Sequence, residues 1–198
     1  LRWNWRITVS IITANEHTAL ASSNSVYGPF RQDSIRPIDE TAKNIDSFLF
    51  KDSDGKYYLY HVRFNKGNYL WVAEFDLQKG CIKPETLKKC FDNTEAWERT
   101  PNYKSAPVME GPTVVKLDDL YYLFYSANHF KNIDYAVGYA TSTSPYGQTI
   151  LLFTEASSTK TAPDMGICLK VWTEDITMYI MFIIQIQLCS RVRHALFR

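Results

Sequence analysis

An internal repeat constrains this chain more than any other feature. Ala21-Ser22-Ser23-Asn24-Ser25-Val26-Tyr27-Gly28 matches Ala140-Thr141-Ser142-Thr143-Ser144-Pro145-Tyr146-Gly147. Upstream of each copy lies a second match, Thr13-Ala14-Asn15-Glu16-His17 against Ser126-Ala127-Asn128-His129. A third unit is partial: Asp54-Gly55-Lys56-Tyr57-Tyr58-Leu59 echoes Asp118-Asp119-Leu120-Tyr121-Tyr122-Leu123. Repeats spaced by tens of residues belong to architectures in which each unit buries its apolar faces only against its neighbours.

The repeating unit reads as β structure. Runs of β-branched and aromatic residues bounded by turn residues predict strands over 57–64, 69–75, 113–117, 120–126 and 135–140, with turns at Asp54-Gly55, Lys66-Gly67-Asn68 and Asp118-Asp119. No long amphipathic helix is legible between residues 14 and 150, and Pro84 to Lys89 supplies one short turn. Repeated hairpins predict a β-propeller, whose radial repetition leaves few open sheet edges. A β-sandwich has equally short strands but does not require the repeat.

Composition narrows the partners. A formal net charge of +1 over 198 residues gives no field that would draw the chain to nucleic acid or an anionic membrane. Aromatics make up 15% of the residues, which suits strands and sugar stacking alike. Cys81, Cys90, Cys168 and Cys189 form no CxxC pair, which argues against zinc, while Cys81 and Cys90 are close enough in sequence to pair across a turn. The uncharged run Ile176 to Ser190 is 15 residues long and broken by Gln185 and Gln187. A membrane-spanning helix needs about 17–25 residues, so no membrane segment is expected. The sequence opens on Leu1-Arg2-Trp3 without a signal peptide, and the start of the protein is expected to lie upstream.

Two segments carry candidate chemistry. In Asn44-Ile45-Asp46-Ser47-Phe48-Leu49-Phe50, and in Trp97-Glu98 followed by Val108-Met109-Glu110-Gly111-Pro112, an acid sits among apolar residues just before a predicted strand. Desolvation raises a carboxyl pKa, which is what a general acid requires; a loop carboxylate capping a turn is the plainer alternative. Arg63, between aromatic residues of a strand, is a candidate for a sugar hydroxyl or a carboxylate, or else a surface charge. Asn128 and His129 follow a strand, where a pocket rim would lie, and Asn15, Glu16 and His17 hold the equivalent repeat position. Trp71 reads as core before stacking platform, and of Phe124 and Tyr125, on opposite faces of a strand, only one can face a pocket.

From about Ala14 to Gly147 the chain resembles glycoside hydrolase family 43. The residues that carry the resemblance are Ile45-Asp46 through Phe50, the Asp54-Gly55 turn with the Tyr57-Tyr58-Leu59 strand, and Glu110-Gly111-Pro112 with the strand from Tyr121 to Ser126. The run Asp134 to Ser142 adds to it. The resemblance implies a five-bladed β-propeller and an inverting glycosidase acting on arabinose- or xylose-containing glycans, with an oligo- or polysaccharide as partner. By motif, Glu110 matches the general acid and Asp46 the acid that orients it and tunes its pKa. Arg63, Asn128 and His129 are the expected substrate contacts. The family's water-activating Asp belongs to an opening strand; Asp33 and Asp39 lie in that region but not in such a strand, and no base is assigned. A non-catalytic carbohydrate-binding propeller is the alternative. No cofactor is identified; a calcium ion on the propeller axis is compatible with the family, but no metal-ligand set is legible. Relatives are commonly exported, so an extracellular or periplasmic location is compatible with the family, while the sequence itself assigns none.

After Gly147 the resemblance stops. Gln148 stands where the family continues with Pro, and a shifted reading frame through Met165-Gly166, Trp172-Thr173 and Met178 to Ile183 can spell the family's later motifs. Residues 1–150 are therefore expected to form a partial propeller lacking part of its first blade, and 151–198 an aberrant, frameshifted tail in place of the last blade. Open edges and uncovered apolar faces would make such a chain unstable and weakly active.

Overall fold

The computed structural model describes residues 8–32, 35–100, 106–147 and 151–153. Asp33, Cys168, Cys189, the run Ile176 to Ser190 and the tail beyond residue 153 lie outside them.

The described chain is all-β apart from two 3-10 turns, Pro84–Thr86 and Ala96–Glu98. Three sheets follow one another. The first pairs β1 (Thr8–Ala14) with β2 (His17–Ser23). The second runs β3 (Asn44–Lys51), β4 (Tyr57–Phe64), β5 (Asn68–Asp76) and β6 (Cys81–Ile82), with β7 (Lys88–Lys89) also on β5. The third is the meander β8 (Met109–Leu117), β9 (Leu120–Ala127), β10 (Ala136–Ser142) and β11 (Leu151–Phe153). Residues 151–153, expected in the tail, thus close the third sheet.

Strand β4 shows why these residues fold this way. Its run Tyr-Tyr-Leu-Tyr-His-Val-Arg-Phe is mostly buried because both faces are covered. Tyr58, Tyr60 and Val62 join Leu70, Val72, Met109, Val114 and Tyr125 in a core between the second and third sheets. Leu59 points the other way, with Ile38, Ala73, Phe75 and Ile82, toward Ile11 and Leu20 of the first sheet. Burying each of these large side chains contributes about 1.5–3 kcal/mol, so cohesion comes from the apolar layers between sheets. A polar tie adds to it: Lys116 Nζ donates to Asp52 Oδ1 at 2.8 Å, and the Tyr121 hydroxyl donates to Asp52 Oδ2.

The repeat seen in sequence is a repeat in geometry. In Ser23 to Gly28, Ser25 N–H donates to Ser23 Oγ (3.1 Å), Tyr27 N–H to Ser25 Oγ (3.2 Å) and Gly28 N–H to the Ser25 carbonyl (3.0 Å). Ser144, Tyr146 and Gly147 reproduce these bonds at 3.0, 3.2 and 3.1 Å. The surroundings differ. Tyr146 packs edge-on against Tyr58, its hydroxyl 3.4 Å from Glu74 Oε1, whereas Tyr27 is 95% exposed. Cys81 and Cys90 are both free thiols, and Cys90 is buried.

Candidate active site

The expectation that the two acids precede their strands needs correcting: both lie inside strands, at matching β-bulges. Between the pairs Ile45↔Val62 and Phe48↔Tyr60, residues Asp46 and Ser47 stand opposite His61 alone. Between Glu110↔Ser126 and Thr113↔Phe124, residues Gly111 and Pro112 stand opposite Tyr125 alone. A bulge kinks the strand and re-aims a side chain. Each has a left-handed residue at the equivalent place, Asp46 at φ 50° and Gly111 at φ 64°. Glycine adopts that conformation freely, and Asp is among the few other residues that tolerate it.

The two bulges meet. Gly111 N–H donates to Asp46 Oδ2 at 3.1 Å, which sets the Asp46 carboxylate beside the residue that follows Glu110. Glu110 is half-buried, and the Tyr135 hydroxyl donates to its Oε1 at 2.8 Å. Desolvation raises the Glu110 carboxyl; the hydrogen bond from Tyr135 opposes this, and the Asp46 charge adds to it. Asp46 keeps an open side to solvent, but surrounding protein raises its carboxyl too, against the Gly111 hydrogen bond. A cleft of about 220 Å³ reaches Glu110 and is also lined by Asn68, Pro107, Val108, His129 and Phe130.

Of the residues expected from sequence, Asp46 and Glu110 come together, and His129 lines the same cleft as Glu110. Asn128 does not serve as a sugar contact as it stands. It is 2% exposed, its Oδ1 accepts from the Thr100 N–H and hydroxyl, and its Nδ2 donates to the Trp97 and Asp134 carbonyls. That uses the full capacity of a side-chain amide. Arg63 is engaged on the opposite face of β4 from the main core: its Nε lies 2.9 Å from Asp39 Oδ2, its Nη2 donates to Thr41 Oγ1 at 2.6 Å, and its guanidinium covers Trp71 with 4.8 Å to the ring centroid. Asp39 is fully buried and also hydrogen-bonded to His61 Nε2 at 3.0 Å. Burial alone would raise its carboxyl, but hydrogen bonds from His61 and Thr41 prevail and bring it down to about 2. A carboxylate so enclosed is a structural ion, which removes it as a water-activating base.

Neither Phe124 nor Tyr125 faces the cleft. Tyr125 is buried with its hydroxyl on Glu98, and Phe124 packs with Val115, Tyr122 and Tyr139. Glu98, raised by burial, is itself enclosed at 3% exposure. Asn15 and Glu16 form the β1–β2 turn, both with positive φ. Among the described residues no group of three or more His, Cys, Asp or Glu could hold a metal ion. No described helix is long and apolar enough to cross a membrane. Sequence reasoning missed Tyr135, which opens a strand and reads there as packing, and Phe130.

Layered β-sheets that bring two acids together at paired bulges, each with its carboxyl raised by burial, suit proton transfer to an oxygen such as that of a glycosidic bond. The family model for glycosyl hydrolases family 43 matches residues 3–162, and the chain belongs to that family. Among solved structures it is similar to an endo-1,4-beta-xylanase from Bacteroides thetaiotaomicron, at 40% identity and a TM-score of 0.66, covering 77% of this chain and 54% of that one. A thermostable family-43 glycoside hydrolase matches at 28% identity and a TM-score of 0.63, over 75% of this chain and 50% of that one. An endo-arabinase from Bacteroides thetaiotaomicron, at 18% identity, shares the fold with a TM-score of 0.62 over 76% of this chain and 57% of that one. The chain thus spans about half the length of these structures. A search of curated proteins found no match.

Proposed function

We propose that the protein is an inverting glycoside hydrolase acting on arabinose- or xylose-containing glycans, with the described sheets as three blades of a five-bladed propeller. Glu110 is its general acid and Asp46 the group that orients Glu110 and holds its proton. The observation that carries this reading is the meeting of the two bulges: Gly111 N–H fixes Asp46 beside Glu110. Tyr135 donates to Glu110 Oε1, which leaves Oε2 to carry the proton toward the leaving oxygen. The family and the relatives named for xylan and arabinan chemistry support the substrate class.

The test is turnover of xylobiose and of an arabinofuranosyl disaccharide by the protein and by Glu110→Gln, with the first-formed anomer read by proton NMR. Removing a general acid lowers kcat by about 10²–10⁴-fold for an unactivated leaving group. Inverted product together with that loss is the expected result. Wild-type turnover by Glu110→Gln, or binding of the disaccharide without hydrolysis, would overturn the proposal.

A further inference from the structure

We propose that Phe130, backed by the His129 ring, is the platform that holds the departing sugar on the flank of Glu110 away from Asp46. This rests on reading Glu110 as the acid. The sugar being cleaved must lie where Asp46 and Glu110 converge, because its bridging oxygen receives the Glu110 proton. The departing part of the glycan then occupies a space that touches Glu110 but not Asp46. The cleft of about 220 Å³ meets that description: Glu110, His129 and Phe130 line it and Asp46 does not.

Phe130 is 57% exposed, and its ring stacks on His129 with centroids 4.7 Å apart and planes 20° apart. Single exposed apolar side chains are ordinary on protein surfaces; Ile133, 60% exposed in the same loop, is one and does not line the cleft. Phe130 differs because its exposure falls at the cleft and its orientation is set. His129 Nδ1 accepts the Lys131 N–H at 3.2 Å, which places the proton of a neutral imidazole on Nε2 and holds the ring that backs Phe130. Lys131 Nζ lies over the Phe130 ring, 5.5 Å from its centroid, and this exposed cation–π contact is the one a stacked sugar would displace. The C–H face of a neutral pyranose or furanose suits such a surface, as apolar faces suit aromatic rings generally. The ligand class is therefore a neutral glycan with at least one sugar beyond the scissile bond.

The test compares substrates that share a glycone and differ in what departs: xylobiose against xylosyl fluoride, and the corresponding arabinofuranosyl pair. Fluoride needs neither a proton nor a platform. Phe130→Ala is expected to lower kcat/KM on the disaccharide about tenfold, chiefly through KM, which is the upper range of one aromatic stacking contact. Fluoride turnover stays within about twofold of wild type, and Phe130→Trp restores the disaccharide rate. Normal disaccharide turnover by Glu110→Gln would remove the acid reading itself. An inactive Glu110→Gln beside an unimpaired Phe130→Ala would remove the platform alone. If the protein turns over neither substrate, NMR titration with xylotriose and arabinotriose decides: about tenfold weaker binding by Phe130→Ala supports the platform, and equal affinity or no binding overturns it.

Discussion

Asp39 and Asp52 in the scaffold, and Asp46 and Glu110 at the bulges, are all carboxyls crowded by protein, and in all four desolvation is the largest influence. They nevertheless shift in opposite directions. Asp39 receives His61 and Thr41, and Asp52 receives Lys116 and Tyr121, and both fall to about 2. Asp46 has the Gly111 N–H, and Glu110 has a tyrosine hydroxyl set against the Asp46 charge, and both rise. The difference lies in partner supply. Asp39 and Asp52, in the segments flanking β3, each collect at least two side-chain donors, whereas Asp46 and Glu110 each have one hydrogen-bond donor, which leaves burial less opposed.

The largest expected effect tests the bulge side: Glu110→Gln removes about 10²–10⁴-fold of kcat on an unactivated disaccharide. The same change should raise the melting temperature at pH 7–8 and not at pH 4. A carboxyl raised on folding contributes stability below its unfolded value, and that contribution is lost as pH rises through the folded one. The scaffold side has the opposite sign. Asp39→Asn and Asp52→Asn should each cost roughly 2 kcal/mol at pH 7 in denaturant titrations. That stability is complete above the unfolded value of 3.8 and disappears as pH falls through about 2. A cost independent of pH would show that packing, not charge, holds these sites.

A smaller effect is expected at Gly111. The nearest atom to an added Cβ there is Ser126 Oγ at 3.9 Å, so space is ample and the penalty is conformational. Gly111→Ala should destabilise by about 1–2 kcal/mol, the cost of placing Cβ in a left-handed residue, while Gly111→Asn costs less. Finest of all are two opposed shifts in the pH–rate profile. Tyr135→Phe removes a bond that lowers Glu110, so the alkaline limb moves to higher pH; Asp46→Asn removes a charge that raises it, so the limb moves to lower pH. Movement in the same direction would contradict the charge coupling.

Much of the fold was legible because its cohesion is written in strand composition. The run Tyr57 to Phe64 announces β4, and the Ser-x-Ser-x-Tyr-Gly segments announce twin turns, since short polar side chains at fixed offsets bond their own backbone. Asp46 and Glu110 were legible as acids in apolar company, but their place within the strand was not. Ser47 and Gly111-Pro112 interrupt the alternation that marks a strand, and the interruption is the bulge itself. The fates of Arg63 and Asn128 were hidden for another reason. Their partners, Asp39 and the Thr100 region, are far away in sequence, and which polar side chain is consumed internally is decided by tertiary packing. Tyr135 lacked any local mark, since a tyrosine opening a strand looks the same whether it packs or donates.

The twin turns give the molecule its own internal standard. Ser23 to Gly28 and Ser142 to Gly147 share their hydrogen bonds, so the two turns present their tyrosines from the same local frame. Tyr146 differs from Tyr27 in its contacts: it rests on Tyr58, reaches Glu74 and lies under Lys88, whereas Tyr27 is exposed. Truncating each tyrosine in turn and subtracting one unfolding free energy from the other removes what the two turns share and reports how strongly Tyr146 holds to the second sheet. One polypeptide thereby carries both the measurement and its blank.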